Sequence, residues 1–142
     1  MEALGWKTRI VVLWIIAAEA CSAHMIMVTI DPASMKLMLD MGATVNAVGW
    51  MFGAIYWLIP IWMAFVTIIV KGSSNRWANF VLGIIGTLLC IYHFFMCGVP
   101  LSFIPPGPVV GPTAHHILLL ASATVATALI TWYAWKWLKQ EG

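Results

Sequence analysis

The chain has 142 residues, of which 63% are hydrophobic and only 8% are charged, and its mean hydropathy is +0.96. Soluble domains are about half apolar and about a quarter charged, so this composition predicts an integral membrane protein. At about 20 residues per span, the length allows four membrane helices and no soluble domain. The net charge of +2 is too small to indicate nucleic-acid binding.

The first predicted span runs from about Arg9 to Ile30, after a short basic lead. Asp31 and Pro32 end it, because the residue before a proline is pushed away from helical backbone angles. The same dipeptide can begin a second helix, with Asp31 as N-cap and Pro32 at the first helical position. Residues 32–41 are therefore predicted to form a short amphipathic helix that lies in the membrane interface.

Three further spans are predicted at about residues 44–70, 76–98 and 115–137. Pro60 marks a kink in the second of these four spans. Residues 99–113 contain five of the seven prolines and no charge, which predicts an ordered, non-helical flap over the outer end of the helices. The fold class is therefore all-α, a single membrane domain (1–142) built as a four-helix bundle in the lipid bilayer.

The basic residues predict the orientation of this bundle. Only Lys36 lies on one side of the predicted topology, and the other six lie on the opposite side: Lys7, Arg9, Lys71, Arg76, Lys136 and Lys139. Because cytoplasmic loops carry the excess of Lys and Arg, both termini are expected in the cytoplasm. The chain is thus predicted to be a multi-pass membrane protein with both termini inside.

Glu19 is an ionisable residue in the middle of the first span. At 1.5 Å per residue it lies about 15 Å from Arg9, close to the membrane midplane, where a charge costs at least ~2.5 kcal/mol. One interpretation is a polar site around Glu19, Ser22 and His24 that binds or transports a small ligand. The alternative is a protonated carboxyl that hydrogen-bonds to Ser22 or to a neighbouring helix and has only a structural role.

The four histidines are predicted to lie in the outer third of the membrane or at its rim: His24, His93, His115 and His116. Together with nearby methionines they predict a site for a metal, for haem or copper, or for a quinone head group. The alternative is that amphipathic histidines collect at the interface and methionine fills space. No cofactor is required by the sequence.

Tryptophan and cysteine are two further residue types that can form a binding site. Trp57 lies before Pro60 and Trp62 after it, so either ring could stack on a flat ligand or fill space beside the kink. The cysteines, Cys21, Cys90 and Cys97, show no CxxC or zinc-like spacing. Since no nucleophile motif, phosphate loop or metal motif is present, a soluble-type enzyme is not indicated.

Three segments carry a family resemblance: KTRIVVLWI (7–15), NRWANFVLGIIG (75–86) and ITWYAWKW (130–137). They resemble a family of small four-helix bacterial membrane proteins of unknown function. The resemblance covers about a third of the chain and rests on residues of the aromatic belts. It implies the four-helix topology and a bacterial inner membrane, and it implies no activity.

These observations favour a small membrane protein that binds or transports a small-molecule ligand through a polar site around Glu19. The alternatives are a redox or cofactor-carrying subunit that uses the outer histidines, and a structural subunit of a larger membrane complex. A homo-oligomer is also predicted, because small residues recur on three spans: Gly49, Gly53, Gly83, Ser122 and Ala126.

Overall fold

The computed structural model describes residues 2–42, 47–97 and 114–140, and these are almost entirely helical. The five helices are α1 (Glu2–Ile30), α2 (Pro32–Gly42), α3 (Ala47–Ile69), α4 (Ser73–Cys97) and α5 (Ala114–Gln140). All except α2 are long and apolar enough to cross a membrane. This confirms the predicted all-α, multi-pass class, whereas the predicted flap at 99–113 lies outside the described residues.

α1 begins at Glu2 rather than near Arg9, so the basic lead continues the helix. Nothing in the lead breaks a helix, and its side chains are held by other parts of the chain. The Nζ of Lys7 donates a hydrogen bond of 2.9 Å to the carbonyl oxygen of Val70. The guanidinium of Arg9 lies 5.2 Å from the Trp6 ring and 5.7 Å from the Tyr133 ring.

The start of α2 has the capping geometry that the sequence predicts. The Oδ2 of Asp31 accepts a hydrogen bond of 3.0 Å from the backbone N–H of Ser34 and another from its hydroxyl. The position of α2 relative to the membrane stays a prediction. In α3, Pro60 lies inside the helix without ending it.

α5 packs along both α1 and α4, while α3 packs mainly along α1 and makes few contacts with α4. α1 and α5 run in opposite directions, because Trp6 lies beside Tyr133 and His24 lies beside His116. We call the end of the bundle with the two chain termini the terminal end. The opposite end, where α1 and α4 finish and α5 begins, is the histidine end.

The contact between α4 and α5 uses small residues. A Cβ atom on Gly83 would lie 2.7 Å from the Oγ1 of Thr131, and one on Gly86 would lie 3.3 Å from the Cγ2 of Thr127. Ala126 is buried as well. Gly83 and Ala126, which entered the prediction of a homo-oligomer, are therefore covered within one chain.

Candidate functional site

Three helices bring histidine side chains together at the histidine end. The ring centre of His24 on α1 lies 5.1 Å from that of His93 on α4 and 4.8 Å from that of His116 on α5. The ring of His115 lies 4.3 Å from that of His116. His24 and His116 are each only 2% exposed. We call these four residues the histidine cluster.

Aromatic side chains of α3 lie against this cluster. The Trp57 ring is nearly parallel to the His24 ring, at 16° and 6.5 Å, and edge-on to the His93 ring at 6.2 Å. The Tyr56 ring lies 6.4 Å from the His93 ring. Trp57, predicted as a ligand contact, therefore belongs to the cluster, whereas Trp62, the other tryptophan beside Pro60, is 59% exposed on the outside of the bundle.

The Nδ1 atom of His24 is buried and has no hydrogen-bond partner among the described residues. A buried polar atom without a partner costs about 1–3 kcal/mol. Such atoms are uncommon in folded proteins and each one calls for an explanation, such as a ligand or ion. Among the described residues, this atom is the clearest sign of a place for a ligand in the cluster.

A pair of thiols lies one helical turn from the cluster, toward the middle of the bundle. Cys21 on α1 and Cys90 on α4 are buried and free, belong to one packed cluster, and line the same cavity. The hydroxyl of Tyr56 lies 3.8 Å from the Sγ of Cys90. Parallel α1 and α4 thus present the same pair of residue types at the same two levels.

This arrangement comes from a repeated spacing that the sequence analysis missed. Each cysteine precedes a histidine by three residues, as Cys21-x-x-His24 and as Cys90-x-x-His93. Residues three apart share one face of a helix, so both pairs turn inward together. The spacing between each cysteine and the nearest histidine reveals this repeat. The spacing between one cysteine and another does not.

A small cavity lies beside the thiol pair. Its volume is about 20 Å³, and Trp14, Cys21, Tyr56, Pro60, Cys90 and Thr127 are among the residues that line it. A cavity of this size holds about one water molecule. The lining of the cavity is almost wholly apolar, so it offers an ion or a water few polar partners.

Glu19 and Ser22, predicted to form the polar site with His24, lie elsewhere. Both are exposed on the outer surface of α1, and neither forms a hydrogen bond with a described residue. Five residues separate Glu19 from His24, which places them about 140° apart around the helix. Within a single chain, three of the predicted ligand-binding residues, His24, His93 and Trp57, therefore lie together. The other two, Glu19 and Ser22, lie on the outer surface of α1.

The predicted metal ligands, His24, His93, His115 and His116, all belong to the cluster. Within the described residues, however, no three His, Cys, Asp or Glu side chains are arranged as the ligands of a metal ion. The helices thus bring the imidazoles to one place, while the present ring orientations do not direct three ligand atoms at one point.

A second polar network, which the sequence analysis did not predict, lies nearer the terminal end. The Oδ1 of Asn79 accepts hydrogen bonds from the Nε1 of Trp14 (2.7 Å) and from the Oγ1 of Thr67 (2.9 Å). Its Nδ2 donates to the Oδ1 (2.7 Å) and the carbonyl oxygen (2.9 Å) of Asn75. Two asparagines four residues apart in a span were the available signal. Because its hydrogen bonds are satisfied, we interpret this network as structural.

Four candidate membrane helices and a buried histidine cluster define the class as a multi-pass membrane protein with a polar interior site. The chain matches no protein-family model, and no curated protein or solved structure matches it. The resemblance to small four-helix bacterial membrane proteins stays a prediction.

Proposed function

We propose that the protein binds a transition-metal ion at the histidine cluster, in the half of the membrane that faces away from the cytoplasm. The observation that carries this proposal is the gathering of His24, His93 and His116 from three helices around a buried Nδ1 atom without a partner. Neutral imidazole is the commonest protein ligand of transition metals. An ion at this Nδ1 would satisfy the atom and tie α1, α4 and α5 together.

Two ring spacings, both from His24, agree with this proposal. An imidazole nitrogen lies about 2.0–2.1 Å from a bound zinc ion, so two rings on one tetrahedral ion have centres about 5 Å apart. The ring centres of His24 lie 5.1 Å and 4.8 Å from those of His93 and His116. To share one ion, the three side chains would rotate from their present orientations until their nitrogen atoms point at a common position.

The donor set selects the kind of metal. Imidazoles with two thiols one turn away favour Zn²⁺ or copper over Mg²⁺ and Ca²⁺, which prefer oxygen ligands. Haem fits less well. Two axial imidazoles on opposite sides of one iron would have ring centres about 6 Å apart, given metal–nitrogen bonds of about 2 Å, and the closest pairs of His24 are nearer than that.

Metal titration of the purified protein tests the proposal. The chelator-stripped protein in nanodiscs is titrated with Zn²⁺ and with Cu⁺, and the bound metal is counted together with the thermal midpoint. We expect one ion per chain and a higher midpoint, because a ligand at 100 times its Kd stabilises the folded state by about 2.7 kcal/mol.

His24→Gln is the informative variant and His115→Gln is its matched control. The first removes the ring that contacts both His93 and His116, so it should lower the affinity at least a hundredfold. The second changes the fourth histidine of the cluster, which is not one of the three proposed ligands (His24, His93 and His116), and we expect less than a tenfold effect. A native protein that binds neither ion, or a His24→Gln variant with native affinity, would refute the proposal.

A quinone head group is the second candidate ligand, favoured by one observation. The nearly parallel rings of His24 and Trp57 provide a flat aromatic surface beside a buried nitrogen that can hydrogen-bond to a carbonyl group. A quinone bound there should quench tryptophan fluorescence, and Trp57→Leu should abolish that quenching. If the native protein shows no quenching by quinone and Trp57→Leu still binds Zn²⁺, the quinone proposal is refuted and the metal proposal stands.

A further inference from the structure

The outward face of α1 is apolar except near its centre. Residues spaced three or four apart form one exposed stripe along the helix: Val12, Ile15, Ile16, Glu19, Ser22 and Ile26. Glu19 lies in the middle of this stripe. By helix rise it is about 15 Å from Arg9, too deep for its short side chain to reach either membrane surface.

The carboxyl group of Glu19 has no hydrogen-bonding or charged partner among the described residues of its own chain. Glu19 forms no hydrogen bond or ion pair with a described residue, and the basic residues of the described chain lie near helix ends, as Lys7 and Arg9 do on α1. Hydrocarbon offers a carboxyl no hydrogen bond, so the group is costly there in either protonation state. Another polar group must cover it in the membrane.

We propose that this face of α1 packs against the same face of a second copy of the chain. A two-fold interface places residues near its axis opposite themselves. A neutral carboxylic acid has one O–H donor and a carbonyl acceptor, so two Glu19 side chains can satisfy each other. Ser22, one turn further along, contributes a hydroxyl and a side chain small enough for the two helices to approach closely.

The rest of the surface explains why the partner is the same face. The exposed described residues of α3 (48–69), α4 (77–92) and α5 (117–135) include no charged or amide side chain, and their polar groups are the Tyr92 hydroxyl and the indole N–H groups of exposed tryptophans such as Trp62. An indole would give Glu19 a donor but no acceptor, so the O–H of a neutral carboxyl would stay without a partner. Tyr92 lies four residues beyond Leu88, nearer the histidine end, whereas the same face of a second α1 presents at the depth of Glu19 a group that both donates and accepts.

The first test is the mass of the protein in nanodiscs. We expect a dimer for the native chain and for Glu19→Gln, whose amide both donates and accepts, and at least a tenfold weaker dimer for Glu19→Leu. Leu88→Ala is the matched control and should stay dimeric. Leu88 is 62% exposed and precedes Cys90 by two residues, as Glu19 precedes Cys21, so the two lie at similar depth.

The second test locates the interface. Ser22→Cys should cross-link to a dimer on oxidation with iodine when the native cysteines are replaced by alanine, and Leu88→Cys should not. Circular dichroism confirms that each variant is helical, and the mass test needs no cysteine replacement. A monomeric native chain, a Glu19→Leu dimer of native strength, cross-linking through Leu88→Cys alone, or a co-purified different protein on this face would each overturn the proposal.

Discussion

Replacement of Gly83 by alanine tests how closely α4 and α5 approach each other. The added Cβ would lie 2.7 Å from the Oγ1 and 3.1 Å from the backbone nitrogen of Thr131, and 3.2 Å from the Cγ2 of Ile130. The hydroxyl can rotate away, but the backbone nitrogen moves only with α5. Overpacking of this kind costs about 1–3 kcal/mol, and the helix propensity of alanine returns about 0.5–1 kcal/mol. We expect a net loss of about 1–2 kcal/mol in the free energy of unfolding.

Two other glycines provide a graded control in the same assay, unfolding in mixed micelles with rising SDS. Gly86→Ala should lose less stability, because its Cβ would lie 3.3 Å from the Cγ2 of Thr127 and a methyl group can move. Gly53→Ala should lose none, since nothing lies within 4 Å of that position. Equal stability of all three variants would show that α4 and α5 are farther apart than described.

Two further predictions concern the terminal end and the orientation. Asn79→Leu removes four hydrogen bonds. At about 0.6 kcal/mol for each bond in a membrane interior, SDS unfolding should show a loss of about 2 kcal/mol, and native stability would mean that the network contributes nothing. For orientation, Ser73→Cys should resist an impermeant thiol reagent in intact cells while Ser102→Cys reacts, with the native cysteines removed. The reverse labelling pattern would place both termini outside the cytoplasm.

The helices and some of their ends were predictable from the sequence because local chemistry determines them. Long apolar runs predict α3, α4 and α5 within a few residues of their observed bounds, and they predict the end of α1 at Ile30. Asp31 and Pro32 together predict the junction between α1 and α2, and the observed cap at Asp31 confirms the expected chemistry. The continuation of α1 back to Glu2 was missed, since contacts of Lys7 and Arg9 with distant residues stabilise that turn.

The composition of the site was harder to predict, because α1 is apolar around almost its whole circumference. Its pattern does not tell which face turns inward, and Glu19 and His24 lie on different faces. The sequence favoured the carboxyl as the centre of the site, whereas the structure buries His24 and leaves Glu19 exposed. Only the packing of α4 and α5 against α1 shows which polar side chains share an environment.

X-ray absorption spectroscopy of the zinc-loaded protein tests the central claim most directly. If imidazoles from three helices share one ion, the first shell should contain about three imidazole nitrogens at about 2.0–2.1 Å, with any remaining ligand a thiolate or water. His24→Gln should lower the nitrogen count or abolish binding. A shell of oxygen atoms alone, or a spectrum unchanged in His24→Gln, would contradict the assignment of the histidine cluster as the metal site.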